Sequence, residues 1–347
     1  MKILFYIAKL YSIPVVDPLI KVCKSKTIDY AFYTSEKVKS SFPDEWDSNK
    51  NLDSLEEAKK FNSDFVLSPG NFVDFRLPGL KVQLFHGLGV EKESHYKIRH
   101  FFDIYFTCGP FVTKRFNRMQ KKYGYFLVKE TGWPKIDYIM NYKEKNLKKK
   151  FDLPEDKNII LYAPTFSIKM ESATELLPVL GSYIKENEFL LIKFHELMNK
   201  ELVEKIKSSE NKNIKLIDTY DITPFLHISD VLISDTSSVI YEFLTLQKPV
   251  ITYKTKSRED KGINITSADK LRKALDRAFS ENFEDQIKKH INDVNPYIDG
   301  KSSERIIQFL EEVNKNRGIL PRISKPLNLF RKMQIIYHSW FRKGYLR

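Results

Sequence analysis

Cysteine is nearly missing from this 347-residue chain, which has only Cys23 and Cys108. The two lie far apart and match no ligand spacing, which excludes a disulfide framework and a zinc motif and points to a reduced, cytoplasmic setting. Long apolar runs are missing too: none approaches the ~18–20 residues of a membrane span. The start, Met1 to Ile20, is apolar but broken by Lys9, Pro14 and Asp17, and it reads as a first strand and helix rather than a signal peptide. HExxH, CxxC, P-loop and GxSxG signatures do not occur. His95 and His100 are five apart, off the one-face spacing of a helical metal pair, so no metal is assigned and no cofactor is expected. No internal repeat or low-complexity tract stands out. Helix-turn-helix, RNP and zinc-finger patterns are missing, so a pI near 9.3 does not imply a specific nucleic-acid partner.

Acids are also missing from one end. Beyond Val313 there is no Asp or Glu, whereas Lys315, Arg317, Arg322, Lys325, Arg331, Lys332, Arg342, Lys343 and Arg347 supply nine of the thirteen surplus positive charges. From Pro326 onward, Leu327, Phe330, Met333 or Gln334, Tyr337, Trp340 and Phe341 fall near one helical face. That pattern suits an interfacial helix on an anionic membrane surface. The competing reading is a closing helix that packs its aromatics on the amino-terminal domain.

What is present is an ordinary globular composition, with 42% hydrophobic and 30% charged residues, at a length that suggests two domains. KILFYI, IDYAFYT, FVLSPG, KVQLFHG, YFTCG and YFLVKETGWP alternate with helix-like stretches. After the charged segment Tyr142 to Lys150, read as a linker, the alternation restarts with NIILYAPTF, FLLIKFH, NIKLID, DVLISD and KPVITY. Such alternation predicts parallel α/β sheets. We expect two Rossmann-like doubly wound domains facing a cleft: residues 1–145, residues 146–312, and a basic C-terminal segment at 313–347. Ligands of such sheets bind at the carboxyl ends of the strands.

The most informative stretch runs from Asp230 to Phe243. Val231, Leu232 and Ile233 end a buried strand, and Ser234, Asp235, Thr236, Ser237 and Ser238 follow. Val239, Ile240, Phe243 and Leu244 then take helical spacing. A helix start with three hydroxyls attracts phosphate. A simple N-cap by Ser234 or Asp235 would use the same residues. Other polar residues fall at strand ends: His86-Gly87 after KVQLF, Thr165 after ILYAP, and His195 after LLIKF. Singly, each histidine is more often a hydrogen-bonded structural residue than a functional one. Gly87-Leu-Gly89 begins like a dinucleotide fingerprint, but Lys92 replaces the third glycine. The flanking Glu91 and Glu93 argue against a pyrophosphate cradle.

Taken together, Phe85-His86-Gly87, Gly132-Trp-Pro-Lys-Ile-Asp137, Ile160 to Phe166, Lys193-Phe-His195, Asp221-Ile222, Ser234 to Phe243 and Asp299 to Arg305 form an ordered series. It resembles the CDP-glycerol glycerophosphotransferases of teichoic-acid and capsule synthesis, over roughly Lys81 to Phe309. The resemblance implies the GT-B architecture and a peripheral enzyme at the cytoplasmic face of the cell membrane. It implies transfer of glycerol phosphate, or a related alditol phosphate, from a CDP-activated donor to a lipid-linked or polymeric hydroxyl, releasing CMP. His86 would be the general base and His195 the second functional histidine, with Lys193 as its basic neighbour. Thr165, Ser234, Thr236, Ser237 and Ser238 would bind the donor. Glu242, where the family usually has Asp, would bind a ribose or glycerol hydroxyl. Asp235 repels phosphate and fits better as a cap or as an orienter of a neighbouring donor. The basic segment Lys254 to Gly262 departs from the family's usual aromatic and acidic one, which leaves ribitol phosphate or another alditol open. The alternatives are a GT-B glycosyltransferase using a nucleotide sugar, a nucleotide-sugar 2-epimerase, a nucleic-acid-binding protein and a non-enzymatic scaffold.

Overall fold

Strands buried on both faces read as unbroken apolar runs, because helices cover both sides of a parallel sheet. Most of the runs found in the sequence behave this way in the computed structural model, which describes residues 1–165, 172–195, 198–207, 213–341 and 346, whereas Leu127–Glu130 and Ile214–Leu216 are only partly buried. Phe166, Arg342, Lys343 and Arg347, together with the side chains of Trp340 and Phe341, lie outside the described residues.

The first sheet comprises β1 (Lys2–Ile7), β2 (Asp29–Thr34), β3 (Phe65–Ser68), β4 (Leu80–Gln83), β5 (Ile104–Thr107) and β6 (Leu127–Glu130). All neighbours pair in parallel, in the order β2-β1-β3-β4-β5-β6. The second sheet comprises β7 (Asn158–Tyr162), β8 (Glu188–Ile192), β9 (Ile214–Leu216), β10 (Val231–Ser234), β11 (Val250–Tyr253) and β12 (Ile263–Ile265). Its order is β12-β11-β10-β7-β8-β9, again all parallel. Counted from β7, this is the dinucleotide-binding order 3-2-1-4-5-6, with its switch point between β7 and β10. Each sheet follows the doubly wound α/β plan that the alternation predicts.

The chain divides into two compact units. One holds Met1–His86, Glu93–Asn141 and Asn295–Arg347; the other holds Gly87–Lys92 and Tyr142–Val294. The domain expected at residues 146–312 differs from the second unit in its end, since Asn295 onward groups with the first unit. The Ser302–Lys315 helix packs against the Ile13–Ser25 and Pro134–Met140 helices. Asp137 is the anchor: its carboxylate accepts from the backbone N–H of Ser302 at 2.9 Å and of Ser303 at 2.6 Å. It thereby satisfies two of the donors that a helix start leaves open. Gly132, at φ +86°, allows the close approach, since a Cβ there would stand 2.3 Å from Ser302 Oγ. The motifs Gly132-Trp-Pro-Lys-Ile-Asp137 and Asp299-Gly-Lys-Ser-Ser-Glu-Arg305 are thus two halves of one structural joint.

In the second unit, Ile160, Tyr162, Leu190, Ile192, Val231, Ile233, Ile251 and Tyr253 form the core with Leu176 and Leu271. No helix among the described residues is long and apolar enough to cross a membrane.

Candidate active site

At the switch point of the second sheet, the turns after β7 and β10 are tied together by one carboxylate. Asp235 is 1% exposed. It accepts from the N–H of Thr165 at 3.0 Å, from the N–H and hydroxyl of Ser172 at 3.0 Å each, and from the N–H of Thr236 at 2.6 Å. Burial raises its pKa, and the hydrogen bonds from Thr165, Thr236 and Ser172 oppose that rise. Ser234 is fully buried and donates its hydroxyl to the Ala163 carbonyl at 2.6 Å. Neither Ser234 nor Asp235 caps the following helix, which spans Val239–Leu244 and begins after Ser238. Asp235 instead orients the turn, holding the Thr165 and Thr236 backbones in place.

That arrangement leaves Thr236, Ser237 and Ser238 half-buried at the carboxyl edge of the sheet. The Thr236 hydroxyl oxygen is shielded from solvent and has no hydrogen-bond partner among the described residues. The helix beyond has only six residues, so its dipole adds little and the side chains must supply most of any anion affinity. Glu242 is 3% exposed within that helix, and Thr165 is 5% exposed. His195 stands exposed just past β8, the strand next to β7, and its carbonyl accepts from the Met198 N–H at 2.9 Å. Lys193 is half-buried and donates through Nζ to the Phe194 carbonyl at 2.9 Å.

The segment Gly87–Lys92 lies on this same turn. A Cβ on Gly87 would meet Ser238 Oγ at 3.0 Å. Glu91 is held by Lys261, whose Nζ reaches its two oxygens at 2.7 and 2.8 Å, and by the Tyr241 hydroxyl at 2.6 Å. Lys261 is 1% exposed, and burial lowers its pKa despite the attraction of Glu91. Gly89, Glu91, Lys92, Thr236, Ser237 and Lys261 line a narrow crevice of about 10 Å³ that opens to solvent.

In the first unit, His86 follows β4, with its ring Nδ1 3.3 Å from the Pro69 carbonyl and its ring 5.2 Å from that of Tyr11. The residue before it, Phe85, has φ +60°, an outlier for a bulky side chain. Phe85 is enclosed by the rings of His95 at 4.7 Å and Phe116 at 5.3 Å. His95, which the spacing excludes from a helical metal pair, belongs to this interior: burial lowers its pKa to about 3, so it stays neutral. His100 meets the Tyr125 hydroxyl at 2.7 Å. No group of three or more metal-ligating side chains occurs among the described residues.

Two doubly wound parallel sheets, the second with a hydroxyl-rich turn at its switch point, place the chain in the GT-B class of α/β folds. Comparison with solved structures agrees. The wall teichoic acid polymerase TagF, in a variant soaked with CDPG, superposes with a TM-score of 0.69 over 91% of this chain and 90% of that one, at 18% identity. A putative UDP-N-acetylglucosamine 2-epimerase from Listeria monocytogenes gives 0.68 over 94% and 99%, at 16% identity. At these identities the likeness concerns the fold.

Sequence comparison goes further. The family profile for CDP-glycerol:poly(glycerophosphate) glycerophosphotransferases matches residues 92–312, and the chain belongs to that family. A teichoic acid glycerol-phosphate primase from Bacillus spizizenii is 38% identical over 129 residues, 35% of this chain and 32% of the relative. The chain spans about a third of the length of the first curated relatives it matches.

Proposed function

We propose that this protein transfers glycerol phosphate, or a related alditol phosphate, from a CDP-activated donor to a hydroxyl of a lipid-linked or polymeric acceptor. The observation that carries the reading is family membership over residues 92–312, a stretch that contains the second sheet and its Ser234–Ser238 turn. In the proposed reaction the acceptor oxygen attacks the phosphorus that bears the alditol. The bond from that phosphorus to the bridging oxygen breaks, and CMP leaves with the electron pair. The acceptor proton passes to His86, since an imidazole titrates near neutrality and suits that task. Lys193 and His195 stabilise the charge that develops on the phosphoryl oxygens, with the hydroxyls of Thr236, Ser237 and Ser238. Thr165, whose N–H is committed to Asp235, and Ser234, whose hydroxyl is committed to Ala163, shape the turn beneath the donor. Glu242 takes a ribose or glycerol hydroxyl. The units of Met1–His86 and Tyr142–Val294 correspond in this reading to acceptor and donor domains.

The acceptor's lipid carrier calls for a membrane surface. Support comes from the Leu329–Phe341 helix, where Leu329, Phe330, Met333 and Tyr337 are each about 60% exposed or more, beside Leu327 at 70%. Lys325 differs from the expectation of a free surface cation, since it bonds Asp103 at 2.9 Å and the Phe101 carbonyl at 3.0 Å. Lys332 lies 5.1 Å from the Phe75 ring centre. Apolar insertion at a cytoplasmic anionic leaflet therefore leads, with Arg322 as an exposed cation.

The test is CMP release from CDP-glycerol and CDP-ribitol, with and without a lipid-linked acceptor. Acceptor-dependent CMP that falls about 10²–10⁴-fold in His86→Ala supports the reaction and the base. A folded protein that releases no CMP from either donor overturns it and favours a nucleotide-sugar glycosyltransferase.

A further inference from the structure

The turn at Thr236–Ser238 presents hydroxyls, yet a diphosphate brings two or more negative charges that hydroxyls alone do not neutralise. Lys193, assigned above to the phosphoryl oxygens, also donates to the Phe194 carbonyl. Among the described residues, Lys92 is a further cation at the crevice that Thr236 and Ser237 line.

Its flanking acids look unfavourable in the sequence, but each is committed elsewhere. Glu91 is neutralised by Lys261 and accepts from Tyr241. Glu93 pairs with Arg115 at 2.9 Å. The Lys92 backbone N–H donates to the Gly89 carbonyl at 2.9 Å, but its ammonium makes no hydrogen bond or ion pair with any described residue. It is half-buried, and burial lowers its pKa against the attraction of Asp235 and Glu91. A half-desolvated ammonium without a partner, beside the unpartnered Thr236 hydroxyl oxygen, is an arrangement completed by an anion.

We infer that Lys92 binds the diphosphate of the nucleotide donor, held over the Thr236–Ser237 turn by the anchoring of Glu91 on Lys261 and Tyr241. The ligand class is a nucleoside diphosphate with a substituent on its outer phosphate. The inference rests on the donor site proposed above but not on the identity of the base or the alditol. Lys92 contacts the donor on this view, and Lys261 and Glu91 are positioning residues that act through it.

Calorimetric titration of the full chain tests it with CDP, UDP, cytidine and uridine as probes. Lys92→Ala should weaken binding of the preferred diphosphate about ten- to hundred-fold, the worth of one charged phosphate contact. Binding of the matching nucleoside should stay unchanged, and Lys92→Arg should retain diphosphate affinity within several-fold. Equal diphosphate affinity in wild type and Lys92→Ala overturns the inference. So does an equal loss for nucleoside and diphosphate, which would mark a structural role, and so does a wild type that binds no diphosphate. A wild type that prefers UDP would sink the CDP-alditol reading while leaving Lys92 measurable with the uridine pair.

Discussion

The indole N–H of Trp133 donates to the carbonyl oxygen of Phe85 at 3.1 Å, joining residues 48 positions apart. Phe85 sits in the left-handed region at φ +60°, a conformation that costs about 1–3 kcal/mol and persists only where the surroundings impose it. The rings of His95, Phe116 and Tyr105 enclose its side chain, and Trp133 secures its carbonyl. The next residue is His86, so this hydrogen bond helps set the direction in which the candidate base leaves the strand end. Trp133→Phe keeps most of the buried ring but leaves the Phe85 carbonyl unpaired. Stability should fall by about 1–3 kcal/mol in urea unfolding, and acceptor-dependent turnover should fall with the donor KM little changed. A variant that unfolds and turns over like wild type would show that the tie does not position His86.

How much of this was legible beforehand varies by feature. Eleven of the strands fall on apolar segments that the sequence displays, although Lys81, Lys129 and Lys215 interrupt three of them. The twelfth, Ile263–Ile265, is a three-residue edge strand like Ile214–Leu216, but Asn264 interrupts it and Lys261 and Gly262 precede it, so no apolar run marks it. The strand-end positions of His86, His195 and the hydroxyl turn were readable because parallel topology fixes where strands end. The roles of the acids were not readable. Asp137 and Ser302 are 165 positions apart, and Glu91 and Lys261 are 170 apart. No local pattern encodes pairings at that range. Lys92 was dismissed for the same reason, since its neighbours' charges look free until their distant partners are placed.

Asp235 offers a pH test. Four donors converge on its carboxylate, so an amide in Asp235→Asn would direct N–H groups at N–H groups. The substitution should cost about 1–3 kcal/mol near neutrality. Burial holds the folded carboxyl above its ordinary 3.8. The native state therefore keeps a proton that the unfolded chain has already released. Stability associated with that proton is present at low pH and is lost as pH rises through the folded pKa. Wild-type stability measured relative to Asp235→Asn should accordingly decline as pH climbs from just below 3.8 through the raised value, then level off. A difference that grows with pH over that window would mean that the hydrogen bonds outweigh burial.

Lys261 and Glu91 test the anchoring of the Gly87–Lys92 segment. The ammonium is 1% exposed and the carboxylate 12%, so removing one partner strands the other away from water. Lys261→Met should cost about 3–5 kcal/mol, the usual penalty for breaking a buried pair from one side. Lys261→Met with Glu91→Leu should recover much of that loss, leaving the Tyr241 hydroxyl short of its acceptor and the Thr255 hydroxyl and Ser257 carbonyl short of the Lys261 donor. Guanidinium unfolding of wild type, both single variants and the double variant gives the coupling. Additive losses would mean that the two charges stabilise the segment independently.

The membrane contact proposed for the basic end of the chain could take two forms. If electrostatics governed, binding would scale with free cations, yet Lys325 is spent on Asp103 and Lys332 lies over Phe75. What the helix presents outward is Phe330, Met333 and Tyr337 at positions i, i+3 and i+7, each more than half exposed. Burying such side chains in the interface is worth about 1.5–3 kcal/mol apiece at most. Phe330→Asp with Met333→Asp should therefore abolish sedimentation with vesicles containing anionic lipid while leaving the thermal midpoint close to that of wild type, because the exposed side chains bury little apolar area in the folded protein. Raising salt on the wild type should weaken binding only in part, since the apolar contribution is unscreened. Full release by salt alone, with the double variant still bound at low salt, would assign the attachment to charge and remove the apolar face from the account.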